Sequence, residues 1–395
     1  MSDKLPDDFI RRYLVYTDNH ESPIQFHKWV AAGIIGACMG RKIYLNWGHF
    51  KIYPNNYIIL CAGSADCRKS SALDMGVDFL RDFTDSKIFA GKITLQAIYQ
   101  DMSIRKVDGR DALIHEDEVC TPLVIHADEL GVFMSREAQQ SDMPLTLAAI
   151  YTNPRHHDYR TKTAGTNIMR EPSLNILSST TPAWIQRNLT ADTFEEGLVG
   201  RSLFIYAKAP KRRITRHALT ADEQSLRLTM GEQLKSISMM EGEMEVTPNG
   251  LRAYDKWYQS RKEPKDEVQV ISGFYGREHV HLLKLAMIFS LSSGSFPYVD
   301  DYHIESAKEA IREVGDSMSM SLRGAGADAV MMHTALVLNE LKKAGTPMST
   351  QQLGKNLWRN MSSAKLDEAL DDLLKFNKIS LHRPKGAKTS YWFLV

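Results

Sequence analysis

The chain has 395 residues, enough for two or three domains, with 43% hydrophobic and 25% charged residues. A net charge of +1 gives no global argument for a nucleic-acid partner, and the composition is that of an ordinary soluble protein. No apolar run reaches about 18 residues, so no membrane-spanning helix is expected. Met1–Asp8 lacks the pattern of a secretory signal, which points to a cytoplasmic location. The four cysteines (Cys38, Cys61, Cys67, Cys120) lack metal-ligand spacing and read as reduced thiols.

Residues 1–55 read as helices followed by a hairpin. Asp8–Leu14 has helical spacing. Pro23–Met39, apolar and rich in Ala and Gly, reads as a packed helix. Arg41–Tyr53 reads as two short strands around Gly48.

Next comes an apolar strand from Tyr57 into Gly63, then four residues, then Arg68, Lys69 and Ser70. This fits the phosphate-loop template G-x-x-x-x-G-K-[ST] except at its second glycine, where Arg68 stands. In such a loop, backbone N–H groups and the following helix N-terminus hold phosphate oxygens. Gly63, Ser64, Ala65, Asp66, Cys67, Arg68, Lys69, Ser70 and Ser71 are therefore the candidate nucleotide-binding residues. Lys69 is expected to reach the β- and γ-phosphates of ATP, and Ser70 to bind Mg²⁺. Arg68 must supply its N–H without glycine's freedom at positive φ. Oxidation or alkylation of Cys67, inside the loop, is expected to block nucleotide.

Thr121–Leu130 reads as a short apolar strand ending in Asp128 and Glu129. In an ATPase the first carboxylate holds Mg²⁺ through its waters, and the second deprotonates the attacking water. His126, inside the run, reads as a packed strand residue rather than a ligand. Residues 156–170 suggest a hairpin turning at Ala164–Gly165 with a basic rim of Arg160, Lys162 and Arg170. Its charges either grip nucleic-acid phosphates or are simply solvated.

Ser173–Pro182 reads as another apolar strand, ending in hydroxyls. Ser179 or Thr180 can act as a polar sensor beside the attacking water, or the same residues cap the helix that follows Pro182. Gly197–Ala207 reads as a strand with Arg201 at its mouth, either an arginine finger for a neighbouring subunit or a surface arginine. The cluster Lys208, Lys211, Arg212, Arg213 and Arg216 is a linker or a nucleic-acid contact.

From about 220 to 320 the pattern is helical. The amphipathic stretch 274–288 suggests a lid over the nucleotide with Arg277 as a second phosphate sensor. His279 and His281 are two apart and face different ways on a helix, which argues against a metal site there. After residues 324–327 three helices (about 328–344, 349–359 and 362–377) and a hairpin follow the winged-helix plan. Residues 331–395 hold ten Lys/Arg against five Asp/Glu, which suits a DNA phosphate surface. Lys365, Lys385 and Lys388 are its candidate contacts. Asp367, Glu368, Asp371 and Asp372 argue against deep groove insertion of the third helix, and a protein-docking role stays open.

The Ile52–Tyr57 approach, the loop ending Arg68-Lys69-Ser70, Asp128-Glu129, Leu174–Pro182, Gly200-Arg201 and Gly276-Arg277 with Lys284-Leu285-Ala286 together resemble phage- and prophage-encoded helicase-like ATPases. Their core is similar to AAA+ helicases of the minichromosome-maintenance type. The resemblance covers roughly residues 8–320, and the C-terminal plan more loosely. It implies an α/β fold: a P-loop NTPase (AAA+/RecA-like) core on a parallel sheet (56–215), an N-terminal region packed on it (1–55), a helical lid (216–325) and a winged-helix domain (326–395). By the same resemblance Lys69, Ser70, Asp128 and Glu129 act in cis, Arg201 acts in trans, and Arg277 is the lid sensor. It further implies a hexameric ring moving on single-stranded or forked DNA in the host cytoplasm, partnered by a separate primase or other replication proteins. An ATP-switched origin-binding initiator or helicase loader is the alternative.

Overall fold

In the computed structural model the described residues are 8–64, 67–103, 105–107, 120–135, 138, 142–161, 165–189, 197–208, 214, 219–261, 269–322, 329–358, 361–383 and 390–394. The chain divides into two compact units, Met1–Arg323 and Gly324–Val395.

Unit one is α/β. Its central sheet has five strands: β1 (Tyr57–Cys61), β2 (Lys87–Ala90), β3 (Leu123–Ala127), β4 (Leu174–Thr180) and β5 (Ser202–Tyr206). All are parallel, in the order β5-β1-β4-β3-β2. Every residue of β1, β3 and β4 is buried, as expected of parallel strands covered on both faces. That explains why they appear in the sequence as continuous apolar runs. The register pairs Cys61 with Thr180 and Ala127 with Ser178, so the carboxyl ends of these three strands lie side by side. Open parallel sheets bind their ligands outside this edge.

Helix Ile24–Met39 packs against the sheet and against helix Lys69–Phe83, and is buried nearly all round. Small residues permit the approach: a Cβ on Gly33 would stand 2.5 Å from Leu177, and one on Gly76 would stand 2.1 Å from Val30. On the far flank, helix Asp301–Ser321 packs on β5.

A second sheet joins distant parts of the chain. The hairpin Ile43–Trp47/Phe50–Ile52 turns at Gly48, whose φ is +62°. Gly242–Val246 pairs in parallel with its first strand, and Tyr298–Val299 pairs in turn with Gly242–Val246. Residues 220–320 are thus not wholly helical. Gly242–Val246 alternates in burial, with Met244 and Val246 inward, a period of two that four charged or small neighbours obscure.

Helix Glu278–Ser292, where a lid is expected, packs at the amino edge of the central sheet. Lys284 Nζ donates to the carbonyl of Asn55, which precedes β1, and a Cβ on Gly36 would stand 3.3 Å from Ile288. A third, small sheet joins Arg105–Val107 to a hairpin of Tyr159–Thr161 and Gly165–Ile168. The hairpin closes at Thr161–Gly165 around residues outside the described set.

Unit two has three helices, Ala329–Ala344, Thr350–Leu357 and Ser363–Lys375, and an antiparallel sheet ordered Met348–Ser349, Tyr391–Leu394, Ile379–His382. Its own core gathers Val337, Leu353, Leu370, Ile379 and Trp392. Ser349 starts the second helix with a reciprocal cap: its hydroxyl accepts from the Gln352 N–H at 3.2 Å, and Gln352 Oε1 accepts from the Ser349 N–H at 2.8 Å. Among the described residues no helix is long and apolar enough to cross a membrane.

Candidate functional site

The loop after β1 leads into helix Lys69–Phe83 through Arg68, whose φ of +48° and ψ of +43° are left-handed. This conformation costs a residue with a Cβ roughly 1–2 kcal/mol, and here it is braced from two sides. The Ser22 hydroxyl donates to the Arg68 carbonyl at 2.8 Å, and Arg68 Nε donates to Glu21 Oε2 at 3.0 Å. The other oxygen of Glu21 accepts from the Ile214 N–H at 2.8 Å. That backbone N–H, with Arg68, holds the Glu21 carboxyl below the usual carboxylate range. The position that glycine fills in the template is thus occupied by an arginine tied down by the N-terminal segment.

Lys69 opens the helix and is buried. Its Nζ donates to the carbonyls of Ala62 and Gly63 at 3.1 and 3.0 Å, so the loop curls around the amine. The Ala62 N–H reaches the Thr180 carbonyl at 3.4 Å, which ties the loop to the end of β4. Ser70 and Ser71 are half-exposed in the first turn, Gly63 and Ser64 precede the bend, and Ala65 and Asp66 lie outside the described residues. Cys67 is buried, with its thiol 3.7 Å from the Ala207 carbonyl. Its sulfur therefore faces the chain at the end of β5.

Across β4 stand the two carboxylates. Asp128 is exposed, and Glu129 is partly buried. Burial raises the Glu129 carboxyl above its ordinary value, while the Thr180 hydroxyl and the Lys69 charge pull it back. Thr180 Oγ1 donates to Glu129 Oε1 at 3.2 Å, whereas the Ser179 hydroxyl donates to the backbone carbonyl of Asp128. The helix cap is a different residue: Thr181 Oγ1 accepts from the Trp184 N–H at 3.1 Å. Of the two hydroxyls open to a sensor role, Thr180 is therefore the one on the carboxylate.

Two further residues join this edge: Asp74, which nothing in the sequence singled out, and His126, expected only to pack in its strand. Asp74 lies one helical turn after Ser70, and His126 shares a strand face with Asp128. His126 Nε2 lies 3.4 Å from Asp74 Oδ1 and 3.6 Å from Asp128 Oδ1. Burial lowers the imidazole below its ordinary value, against the pull of both carboxylates. Burial, and then the Asp128 charge, raise the Asp74 carboxyl. His126 is packed in the strand, as expected, and also faces acid on two sides.

Arg201 and Arg277 are elsewhere. Arg201 immediately precedes Ser202, which pairs with Tyr57 at the start of β1, so it lies at the amino edge. A five-residue strand puts roughly 13 Å between the two edges. Arg201 Nη1 donates to the Gly197 carbonyl at 2.9 Å, and Arg277 Nη1 donates to the Gly273 carbonyl at 3.0 Å. Burial, then the charge of Arg277, push the Arg201 guanidinium below its ordinary value. Among the described residues neither arginine has a carboxylate partner. His281, lowered to about 3 by burial, bridges Gly200 O and Tyr151 OH, each at 3.1 Å. Gly200 is required here, because a Cβ would stand 2.6 Å from the Gly273 backbone.

Of the candidate DNA contacts, Lys365 is exposed in the first turn of Ser363–Lys375. Lys162, Lys385 and Lys388 lie outside the described residues, as does the side chain of Arg160. No protein-family model matches the chain, and no curated protein matches it.

The brace on Arg68 makes a direct prediction. Glu21→Ala should lower the melting temperature in the native chain and lower it less in an Arg68→Gly background, because glycine needs no support at positive φ. Equal losses in the two backgrounds, measured by thermal unfolding, would remove the coupling.

Proposed function

We propose that this chain is an ATPase that couples hydrolysis to movement along DNA, a ring-forming helicase or translocase in the replication of a phage or mobile element. One observation carries the reading. Lys69, Asp128, Glu129 and Thr180 come together at the carboxyl edge of three adjacent parallel strands. This supports a P-loop NTPase core of the AAA+ or RecA-like kind. The helices and antiparallel sheet of Gly324–Val395 support a winged-helix reading of the second unit.

The donor set suits Mg²⁺ and ATP. Among the described residues the buried lysine amine is held only by loop carbonyls, the helix N-terminus opens beside it, and a hydroxyl and a carboxylate are available from Ser70 and Asp128. Magnesium would supply charge neutralisation between the β- and γ-phosphates. Lys69 would exchange its two carbonyl contacts for phosphate oxygens. Ser70 and Asp128 would hold the ion, directly and through water. Glu129, its carboxyl raised by burial, would take a proton from the attacking water, and Thr180 would fix its orientation.

Arg201 and Arg277 stand at the opposite edge, too far from this loop to serve it. They support an active site shared between subunits, in which both guanidiniums of one copy face the phosphates bound by the next. Arg277 is then a sensor acting in trans. Lys365, with Lys162, Lys385 and Lys388, would track DNA phosphates.

The leading test is steady-state ATP hydrolysis with and without single-stranded DNA. Strong stimulation, abolished in Lys69→Ala, is expected of a motor. Slow hydrolysis indifferent to DNA would favour an ATP-switched initiator or loader, and no nucleotide binding at all would sink both. Hydrolysis should fall as pH drops through the pKa of Glu129. Thr180→Val removes a hydrogen bond that favours the ionised form, so the acid limb should move to higher pH; an unmoved limb would count against Glu129 as the base. Mixing Arg201→Ala with Lys69→Ala subunits should restore part of the activity that each lacks alone. No recovery in verified mixed oligomers would argue against a trans arginine.

A further inference from the structure

We infer that Asp74, His126 and Asp128 form a binding site for a divalent transition-metal ion of the zinc and cobalt class, open in the nucleotide-free protein. One ligating atom from each of the three residues lies within 4.8 Å of the other two. His126 is only 5% exposed, and among the described residues neither ring nitrogen has a hydrogen-bond partner. A buried imidazole with both nitrogens unsatisfied is costly, and this one directs Nε2 at two carboxylates.

The spacing suits an ion. Two atoms 3.4 Å apart, each about 2.1 Å from a common centre, subtend about 110°, close to a tetrahedral angle. The 3.6 Å pair gives about 120° by the same construction. Both aspartate side chains are about half-exposed, at 51% and 63%, so their carboxylates can turn onto the ion while the imidazole stays fixed by packing. An ion would also offset the repulsion between the two carboxylates.

The ligand set selects the metal class. An imidazole nitrogen with two carboxylates favours zinc-like ions, whereas magnesium prefers an octahedral shell of oxygens and gives up water reluctantly. Three protein ligands leave a fourth position open, the pattern of an exchangeable rather than a closed site. Ser70 lies one turn before Asp74, so the cluster is next to the phosphate loop. On the ATPase reading, Asp128 would serve both this ion and the magnesium of the nucleotide. The two could not be held fully at once, and zinc would hold the enzyme in an unproductive state.

The test uses the full chain without nucleotide, so it does not depend on hydrolysis. Cobalt(II) is added as a spectroscopic probe, and zinc binding is followed by titration calorimetry. The expected result is one ion per chain, visible cobalt bands of nitrogen and oxygen ligation, and no displacement by a large excess of magnesium. Asp74→Asn, on a half-exposed helix position that leaves the core intact, should weaken zinc at least about tenfold. His126→Gln should do the same, with circular dichroism confirming that it folds. Absence of stoichiometric binding, a cobalt–thiolate band pointing to a cysteine, or an affinity unchanged in Asp74→Asn would each overturn the site.

Discussion

The pairing of Cys61 with Thr180 governs where the rest of the candidate site stands. β1 and β4 are adjacent although more than a hundred residues separate them. Their level carboxyl ends bring a loop lysine and a carboxylate–hydroxyl pair to one edge. The Ala62 N–H continues that ladder by one further bond to the Thr180 carbonyl. A shift of one residue would turn Thr180 to the other face and separate it from Glu129. The register is protected because β1, β3 and β4 are buried on both faces, so slippage would disturb packing on two sides.

The same parallel arrangement creates the opposite edge. There Arg201, Arg277 and Lys284 gather with no carboxylate among the described residues to balance them. Lys284 is fully buried, and desolvation, then the nearby Arg201 charge, drive its amine well below the ordinary value. It is held by the Asn55 carbonyl and side chain and lies 3.9 Å from the centre of the Tyr151 ring. Carbonyls and an aromatic face compensate partly for lost water without neutralising charge. The two guanidiniums therefore leave this edge electropositive, and on the proposed reading it would meet an anion supplied from a neighbouring subunit.

Much of this was legible in the sequence because buried parallel strands are written as uninterrupted apolar runs. β1, β3, β4 and β5 all stood out, as did the three helices of the second unit, whose ends fall within two residues of the expected ones. β2 did not, because Lys87–Ala90 is a four-residue edge strand, mostly half-exposed and without alternation. The carboxylates, Lys69 and the hydroxyls were visible as strand-end chemistry. Asp74 was hidden because it lies within a helix, and only the packing of that helix against the sheet brings it to His126. The choice between Ser179 and Thr180 needed the structure, since neighbouring hydroxyls on a strand differ only in the face they present. The place of Arg277 could not be read either, because the stretch expected to be amphipathic forms helix Glu278–Ser292, which is buried on nearly every side and gives no sign of what it covers.

Arg68 shows how a departure from a pattern can be absorbed. A glycine in this position would need no neighbour, since it has no Cβ to strain. An arginine needs support, and the support comes from Glu21 and Ser22, far away in sequence. Glu21 also accepts the Ile214 N–H, so a single carboxylate joins the N-terminal segment, the loop and the chain beyond β5. Backbone freedom has been replaced by a tether. The conformation of the loop then depends on where residue 214 lies, which a glycine loop would not require. A displacement of residue 214 would reach Lys69 through two hydrogen bonds and one peptide unit, so the residue that departs from the template also couples the loop to the rest of the chain.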